Sequence, residues 1–517
     1  MTNWTRTWCN AAVLLPLALN AAAQPRDLAG LIQSGNRHAA LERIRAGADV
    51  NAAQPDGTRP LHWAVFRVDH ELVEELLARH AQVNVRNEFG SWPLAEAAKV
   101  GEARLVRMLL DAGADPEAPN ADGQTALMLA IKGGFLPVVE MLLDAGAKVN
   151  VVEQFQRQTP LMWAAAAAHN AAPMVRLLLD RGADVRPRSR FRDWESQISS
   201  EPRAQYRPTG GHTALLYAAR NGCTECVAVL LDAGADIDQP TPEGVTALML
   251  AIDNGYNETA RLLLDRGANP HLWDWWGRTA LYIAVDRRAA AAGRDGRAGQ
   301  EALHLIEALL DKGVDVNPQL NMHRPSRGGN SGRFSETQLS TGCTPLLRAA
   351  LASDLEVMRL LLARGANPNI NAMGVTAFLV AAGVGAGRGG AGEANLALLE
   401  LMFQNGAEVN TQVSGTTTYT LRVSRSPATN EGMTALHAAA QRGRTELVKY
   451  LLEKGANPRI RDANGRTPLD LVGGGPAPAV GGPRGAPAAG NLAELRALLE
   501  VAVKPAEPDG AASRLSR

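Results

Sequence analysis

Apolar positions along the chain recur in pairs of short blocks. Segments such as GQTALMLAIKGGFLPVVEMLLDAGAKVN, GHTALLYAARNGCTECVAVLLDAGADID, GVTALMLAIDNGYNETARLLLDRGANPH and GMTALHAAAQRGRTELVKYLLEKGANPR begin at Gly123, Gly211, Gly244 and Gly432. Within each block the apolar residues fall at helical spacing, which predicts two short helices per segment. A Thr-Pro or Thr-Ala step leads into the first helix, where Pro suits the first turn because no N–H is needed there. Leu and a small Ala-Ala pair let that helix approach its neighbours closely. The second helix carries Leu-Leu, as in Leu109-Leu110, Leu142-Leu143 and Leu263-Leu264. It stops at a glycine, as at Gly113, Gly146, Gly182, Gly234, Gly267, Gly365 and Gly455, which can take the left-handed conformation that ends a helix. A polar finger leads to the next segment.

The spacing is regular. Gly57, Gly90 and Gly123 are 33 residues apart, as are Gly211, Gly244 and Gly277, and Gly432 and Gly465; Gly342 to Gly374 is 32. Such a period is read before any other feature, because one unit cannot bury its own apolar face and is stable only when stacked. TRPLHWAV (Thr58 to Val65), QTPLMWAA (Gln158 to Ala165), CTPLLRAA (Cys343 to Ala350) and MTALHAAA (Met433 to Ala440) give the period a recognisable motif. With these the chain resembles the ankyrin repeat family over roughly residues 27–500. The resemblance implies an all-α solenoid of about twelve helix–turn–helix units, with degenerate units at both ends as caps.

Six insertions interrupt the period. Three lengthen fingers, at about 186–210, 318–341 and 411–431. Three lengthen the turn between the helices of a unit, at about 288–300, 383–394 and 473–490. The turn insertions are rich in Gly, Ala, Pro and Arg and read as mobile linkers. The finger insertions hold more polar and aromatic residues, including FRDWESQ (Phe191 to Gln197) and TTTYTLRVSRS (Thr416 to Ser426), the latter alternating enough for a hairpin.

The N-terminus reads as a secretion signal: Arg6, then the apolar run Ala11 to Leu19, then small residues that place cleavage after Ala23. This divides the chain into a signal (1–23), a repeat array (24–503) and a disordered tail (504–517). It predicts export to the periplasm or the medium. No other segment is apolar enough to span a membrane. Lys plus Arg and Asp plus Glu are both 53, so there is no basic excess of the kind nucleic-acid binders show. A monomer without cofactor or metal is expected.

Little in the sequence suggests catalysis. Gly385, Gly387 and Gly390 have G-x-G-x-x-G spacing, but no strand precedes them, so a dinucleotide site is not expected. Cys223 and Cys226 form a C-x-x-C without the second ligand pair a zinc site needs. Packed thiols, a local disulfide and a redox-active pair all remain open for them, while Cys343 lies too far off to bridge either. Neither a carboxylate pair nor a Ser/His/Asp set can be assembled. Asn257 heads an Asn-Glu-Thr sequon.

The family resemblance implies that His62 and His437 hydrogen-bond within their repeat turns, that Trp63 and Trp163 are half-buried, and that fingers and first helices form the binding face. One finger departs from the polar rule. NPHLWDWWGRTA (Asn269 to Ala280) places Trp273, Trp275 and Trp276 beside Asp274, and tryptophan is enriched among interface hot spots. These four residues are the first candidates for a partner-binding site, with packing on a neighbouring finger as the alternative. Arg287 is expected to join them in a polar rim with Arg220, Arg348 and Arg442. Phe89 and Trp92 make a second, weaker patch. A non-enzymatic scaffold that binds a protein partner fits best. The alternatives are a structural or tethering protein that stacks its tryptophans on cell-wall glycan, and an enzyme with a site built from the insertions.

Overall fold

The computed structural model describes residues 27–192, 209–291, 296–321, 342–372, 374–384, 395–414, 430–473 and 489–504. The expected signal (1–23) and nearly all of the expected tail fall outside these residues. So do the G-x-G-x-x-G glycines, Trp194 and the Thr416–Ser426 segment.

The chain forms two compact units, Met1–Phe155 with Ala167–Asn170, and Gln156–Ala166 with Ala171–Arg517. In the first, the helices pair as Leu28–Gln33 with Arg37–Arg45, Pro60–Phe66 with His70–Ala78, Pro93–Val100 with Ala103–Asp111, and Ala126–Gly133 with Leu136–Asp144. In the second the pairs are Pro160–Ala166 with Ala171–Asp180, Ala214–Asn221 with Thr224–Asp232, and Ala247–Asn254 with Asn257–Asp265. Ala280–Ala291 with Gly296–Asp311, Pro345–Leu351 with Leu355–Ala363, Ala377–Ala381 with Leu396–Gln404, and Ala435–Gln441 with Thr445–Glu453 continue it. A single 3-10 turn, Leu469–Leu471, and the helix Ala489–Val503 close it. The described residues therefore contain twelve pairs, and the last has lost most of its first helix.

Within each unit of the chain, first helices stack on first helices and second helices on second helices. The alanines of the first helices are the reason they fit. Ala64, Ala97, Ala98, Ala130, Ala218, Ala219, Ala251, Ala349 and Ala439 are all nearly or fully buried. Five first helices begin on a turn whose threonine caps them: Thr213, Thr246, Thr344, Thr376 and Thr434 accept from the backbone N–H three residues on. His62 and His437 add to this turn. Each accepts through Nδ1 from the N-cap backbone N–H and pairs through Nε2 with a carbonyl of the next finger, Ser91 or Arg466.

Asparagines at the base of the fingers tie one repeat to the next. Asn84 donates through Nδ2 to the Gly113 carbonyl (2.8 Å) and accepts from the Asp115 N–H (2.8 Å). Asn51 brackets His80 and Gln82 in the same way, Asn369 brackets Gly406 and Glu408, and Asn410 brackets Gly455 and Asn457. The bracket captures a carbonyl at the end of the next second helix, where intrahelical partners run out.

Fingers close by a second rule. In a short finger an anchor residue exchanges two backbone hydrogen bonds with the finger glycine and the residue after it. Thr241 N–H donates to the Val245 carbonyl (2.9 Å), and Gly244 N–H donates back to the Thr241 carbonyl (2.8 Å). Two long insertions start from the same pair of bonds, Leu320 with Gly342 and Cys343, and Val413 with Gly432 and Met433. There Leu320 and Val413 are buried in place of a polar anchor. The third, at 186–210, has a two-residue antiparallel base with Phe191 opposite Gly210 and Arg192 opposite Thr209.

The insertion at 288–300 differs from its expected linker character. The described residues on both sides of it are helical, and the two helices reach 12 and 16 residues where most others have 7 to 9. Arg288 explains the extension. Its Nε donates to Asp354 (2.7 Å), the residue that caps the next second helix, and its Nη2 pairs with Glu356. Ala289, Ala290 and Ala291 are strong helix formers, so the first helix continues past Arg288 once this tether exists.

Two stability changes follow. Asn84→Ala removes both bracket bonds at an exposed position and is expected to cost about 1 kcal/mol in urea unfolding. His80 occupies the left-handed slot that glycine fills in other repeats (φ 60°) and its side chain is exposed. His80→Gly is expected to stabilise by about 1 kcal/mol, because a side chain is strained in that conformation.

Candidate binding surface

The tryptophan finger is built on a buried ion pair. Asp274 is 2% exposed and Arg278 8%. Asp274 Oδ1 accepts from the Trp276 and Arg278 backbone N–H groups (3.0 and 2.9 Å), and its Oδ2 accepts from Arg278 Nε (2.6 Å). Burial pushes the Asp274 carboxyl above its usual range, against the pull of Arg278 and those N–H groups. Arg278 also reaches Asp253 at 3.4 Å, and its guanidinium lies 5.2 Å from the Trp276 ring centroid.

This arrangement changes the expected site. Trp276 is only 6% exposed, and Asp274 faces inward. Both had been expected at the contact surface. The Arg278 guanidinium lies over the Trp276 ring, and the next finger is tied to its backbone: Asn321 N–H donates to the Trp276 carbonyl (2.8 Å). Trp275 is half-buried, and its N–H donates to the Glu243 carbonyl of the preceding finger (2.7 Å). Trp273 alone of the three stands out from the finger, 64% exposed. Of the two rings that the packing alternative invokes, Phe191 is itself exposed, with Arg188 5.9 Å from its centroid, and Trp194 lies outside the described residues.

The expected arginine rim is also only partly present. Arg220 is exposed and Arg287 half-exposed, the latter lying over Gly255. Arg348 turns inward to pair with the buried Asp286 at 2.8 Å. Arg442 is half-buried, and desolvation together with the neighbouring Arg444 lowers its pKa. In the first unit Phe89 projects from its finger at 74% exposure, whereas Trp92 is half-exposed and tied by its indole N–H to the Pro119 carbonyl (2.8 Å). Trp63 and Trp163 are half-buried, and Trp63 donates to Gln54 (2.9 Å).

Among the described residues of the second unit, neighbouring fingers are linked by hydrogen bonds. Arg188 donates to the Gly211 and Pro240 carbonyls (3.0 and 2.8 Å), and so joins the base of the long insertion to the finger that precedes the tryptophans. His212 sits in that base, its ring against Tyr217 (centroids 5.2 Å apart). Burial first, then Arg220 and Arg188, lower its pKa to about 4.

The C-x-x-C is a disulfide. Cys223 and Cys226 are bonded, with Cα atoms 5.2 Å apart. Cys223 is the N-cap of the helix Thr224–Asp232, and its sulfur accepts from the Cys226 N–H at 3.2 Å. The loop it closes is so short that chain-entropy stabilisation is only about 2 kcal/mol. Cys343 is free and fully buried, with its thiol pushed up to about 12 by desolvation. The sequon asparagine, Asn257, starts a helix, and the hydroxyl of its Thr259 is engaged with Thr224 (2.8 Å). Among the described residues, no cluster of three or more His, Cys, Asp or Glu is placed to hold a metal. No helix among them is long and apolar enough to cross a membrane.

Sequence reasoning found the tryptophan finger but missed Arg278 and Arg188. The signal for Arg278 was available: the finger Asp274-Trp-Trp-Gly-Arg278 repeats as Asp462-Ala-Asn-Gly-Arg466, where Arg466 Nε again donates to the carboxylate (2.8 Å).

Trp276→Ala is expected to lower stability by about 3–5 kcal/mol, the cost of emptying a buried aromatic site, whereas Trp273→Ala should stay within about 0.5 kcal/mol of wild type. Thermal melts of the two variants test the assignment. The histidine predicts a pH dependence. Unfolded histidine titrates near pH 6.5 and folded His212 near 4, so in that window the unfolded chain binds the extra proton. The stability contribution is whole above pH 6.5 and falls as the pH drops towards 4, by on the order of 2 kcal/mol after allowance for solvent screening. His212→Gln should flatten that part of the stability-versus-pH curve.

Comparison with known proteins agrees with the repeat geometry. Residues 28–120, 97–189, 195–274 and 215–319 match the family described as ankyrin repeats in three copies. Residues 426–472 match ankyrin repeats in many copies, and 341–372 a single ankyrin repeat. Alpha-latrocrustotoxin-Lt1a of Latrodectus tredecimguttatus is 27% identical over 173 residues, which is 34% of this chain and 9% of the toxin. The chain thus spans a small fraction of that relative's length. The crystal structure of the human ASB11 ankyrin repeat domain is similar at 26% identity and a TM-score of 0.37, covering 47% of this chain and 98% of that one. Ankyrin repeats are typically non-enzymatic, and arrays of them are protein-binding scaffolds. The matched segments span more than half of the chain, which belongs to the ankyrin repeat family.

Proposed function

We propose that the protein is a scaffold that binds a protein partner through the finger row of its second unit, with Trp273 as the anchoring contact. The observation that carries this is an indole 64% exposed on a finger whose other aromatic and charged groups are locked in place. An exposed tryptophan on a rigid base loses little entropy when it is covered, and interface hot spots are built from such residues. The described base of the long insertion, Phe191–Arg192 with Thr209–Gly210, is tied through Arg188 to the finger at Pro240, and loops on a rigid scaffold carry much of binding. Arg220 and Arg287 supply polar groups at its margin. Phe89 provides a separate aromatic contact in the first unit.

The apolar run Ala11 to Leu19 supports export, so the partner is sought in the periplasm or the medium. Affinity capture from the exported fraction, with wild type beside Trp273→Ala, tests the reading. The variant should keep its melting temperature and lose at least about 2 kcal/mol of partner affinity, the scale of a hot-spot residue. Retention of cell-wall glycan in place of protein, abolished by the same change, would instead identify a tether. Equal capture of a protein by both forms would remove Trp273 from the contact surface.

A further inference from the structure

The disulfide lies at a helix N-terminus, with its two sulfurs in unequal surroundings. Cys223 is partly exposed in the turn between the two helices of its repeat, while Cys226 is fully buried among the second-helix core positions. An incoming thiol or disulfide can therefore approach the sulfur of Cys223 and not that of Cys226. The Cys226 backbone N–H already points at the Cys223 sulfur (3.2 Å). In the reduced protein the same N–H, at the positive end of a nine-residue helix, would stabilise a Cys223 thiolate. The neighbouring acid, Glu225, is exposed and paired with Arg176 at 2.6 Å, which offsets its charge.

Val227 and Leu230 hold the helix in the stack by burial, and the bond spans a single helical turn.

We propose that Cys223 and Cys226 are an exchange-active dithiol–disulfide pair, in which Cys223 is the sulfur that meets an external thiol or disulfide. Starting from the dithiol, the Cys223 thiolate attacks one sulfur of an external disulfide. A mixed disulfide forms on Cys223, and the other external sulfur leaves as a thiolate. Cys226 then attacks the Cys223 sulfur and closes the internal bond. The second external sulfur departs as a thiolate and takes up the Cys226 proton. The external disulfide is reduced by two electrons and the cysteine pair is oxidised by two. An external dithiol drives the reverse sequence. This activity is independent of partner binding at the tryptophan finger.

The test uses the full chain in glutathione redox buffers, with thiols trapped by a maleimide and each cysteine peptide read by mass spectrometry. In the native protein the Cys223 and Cys226 thiols should appear together at one midpoint and disappear on reoxidation, with an unchanged circular dichroism spectrum. Cys226→Ala should accumulate a glutathione adduct on Cys223 at least about tenfold faster than Cys223→Ala does on Cys226, because only the former sulfur is accessible and activated. Melting curves establish that both variants are folded. Should either unfold, the wild-type titration decides alone. A bond that opens only after denaturation would overturn the proposal, as would equal adduct rates in two folded variants.

Discussion

In several repeats the register rests on a side-chain amide. Most second helices are about nine residues long, so their last carbonyls are a large share of their hydrogen-bonding groups and lack partners within the helix. A left-handed residue turns the chain away, and its carbonyl then faces the preceding finger. There Asn51, Asn84, Asn369 and Asn410 each supply one donor and one acceptor, spaced to engage that carbonyl and the N–H two residues later. Apolar burial drives the stacking but is non-directional. The amide is directional, and it converts an attraction between helices into a fixed offset between repeats.

Where the fingers close matters as much. The reciprocal pair of backbone bonds at Thr241 and Gly244 encloses two residues at the tip. Lengthening the chain at that tip disturbs neither the bonds nor the stack, and loop closure grows costlier only slowly with length. The Leu320 and Val413 bases are the same closure with an apolar anchor. Their buried side chains take over what a polar anchor does for short fingers by hydrogen bonding to the tip. The scaffold thus carries long insertions at its fingers without altering the repeats that bear them.

The parts legible in the sequence are those decided within one period. Helix pairing, the terminating glycines and the roles of His62 and His437 depend on neighbours at fixed spacing, and they follow from the motif. The parts that were hidden depend on residues a repeat or more away. The asparagine bracket looks like generic finger polarity until its partners some thirty residues on are known. Trp276 is tied through its backbone carbonyl to Asn321, which arrives after a further helix pair, so neither residue's own repeat reveals that bond. The 288–300 segment has a linker's composition, and its helical ends are held by Arg288 through Asp354, the cap of the following repeat. The cysteine pair was ambiguous because spacing alone does not say which sulfur is buried.

The tryptophan finger shows what the buried ion pair is for. An Asp–Arg pair taken out of water adds little net stability, because desolvation offsets most of the attraction. Its effect is on position. Asp274 holds two backbone N–H groups and Arg278, and Arg278 in turn lies over Trp276. With Trp275 bonded to the previous finger and Trp276 to the next, the segment has few conformations left. Trp273 leaves this fixed frame with its indole in water. A flexible finger could fold that ring back onto apolar surface and gain burial within the chain. The rigid one cannot, so the apolar area of Trp273 stays available, and its burial free energy is released only when a second molecule covers it.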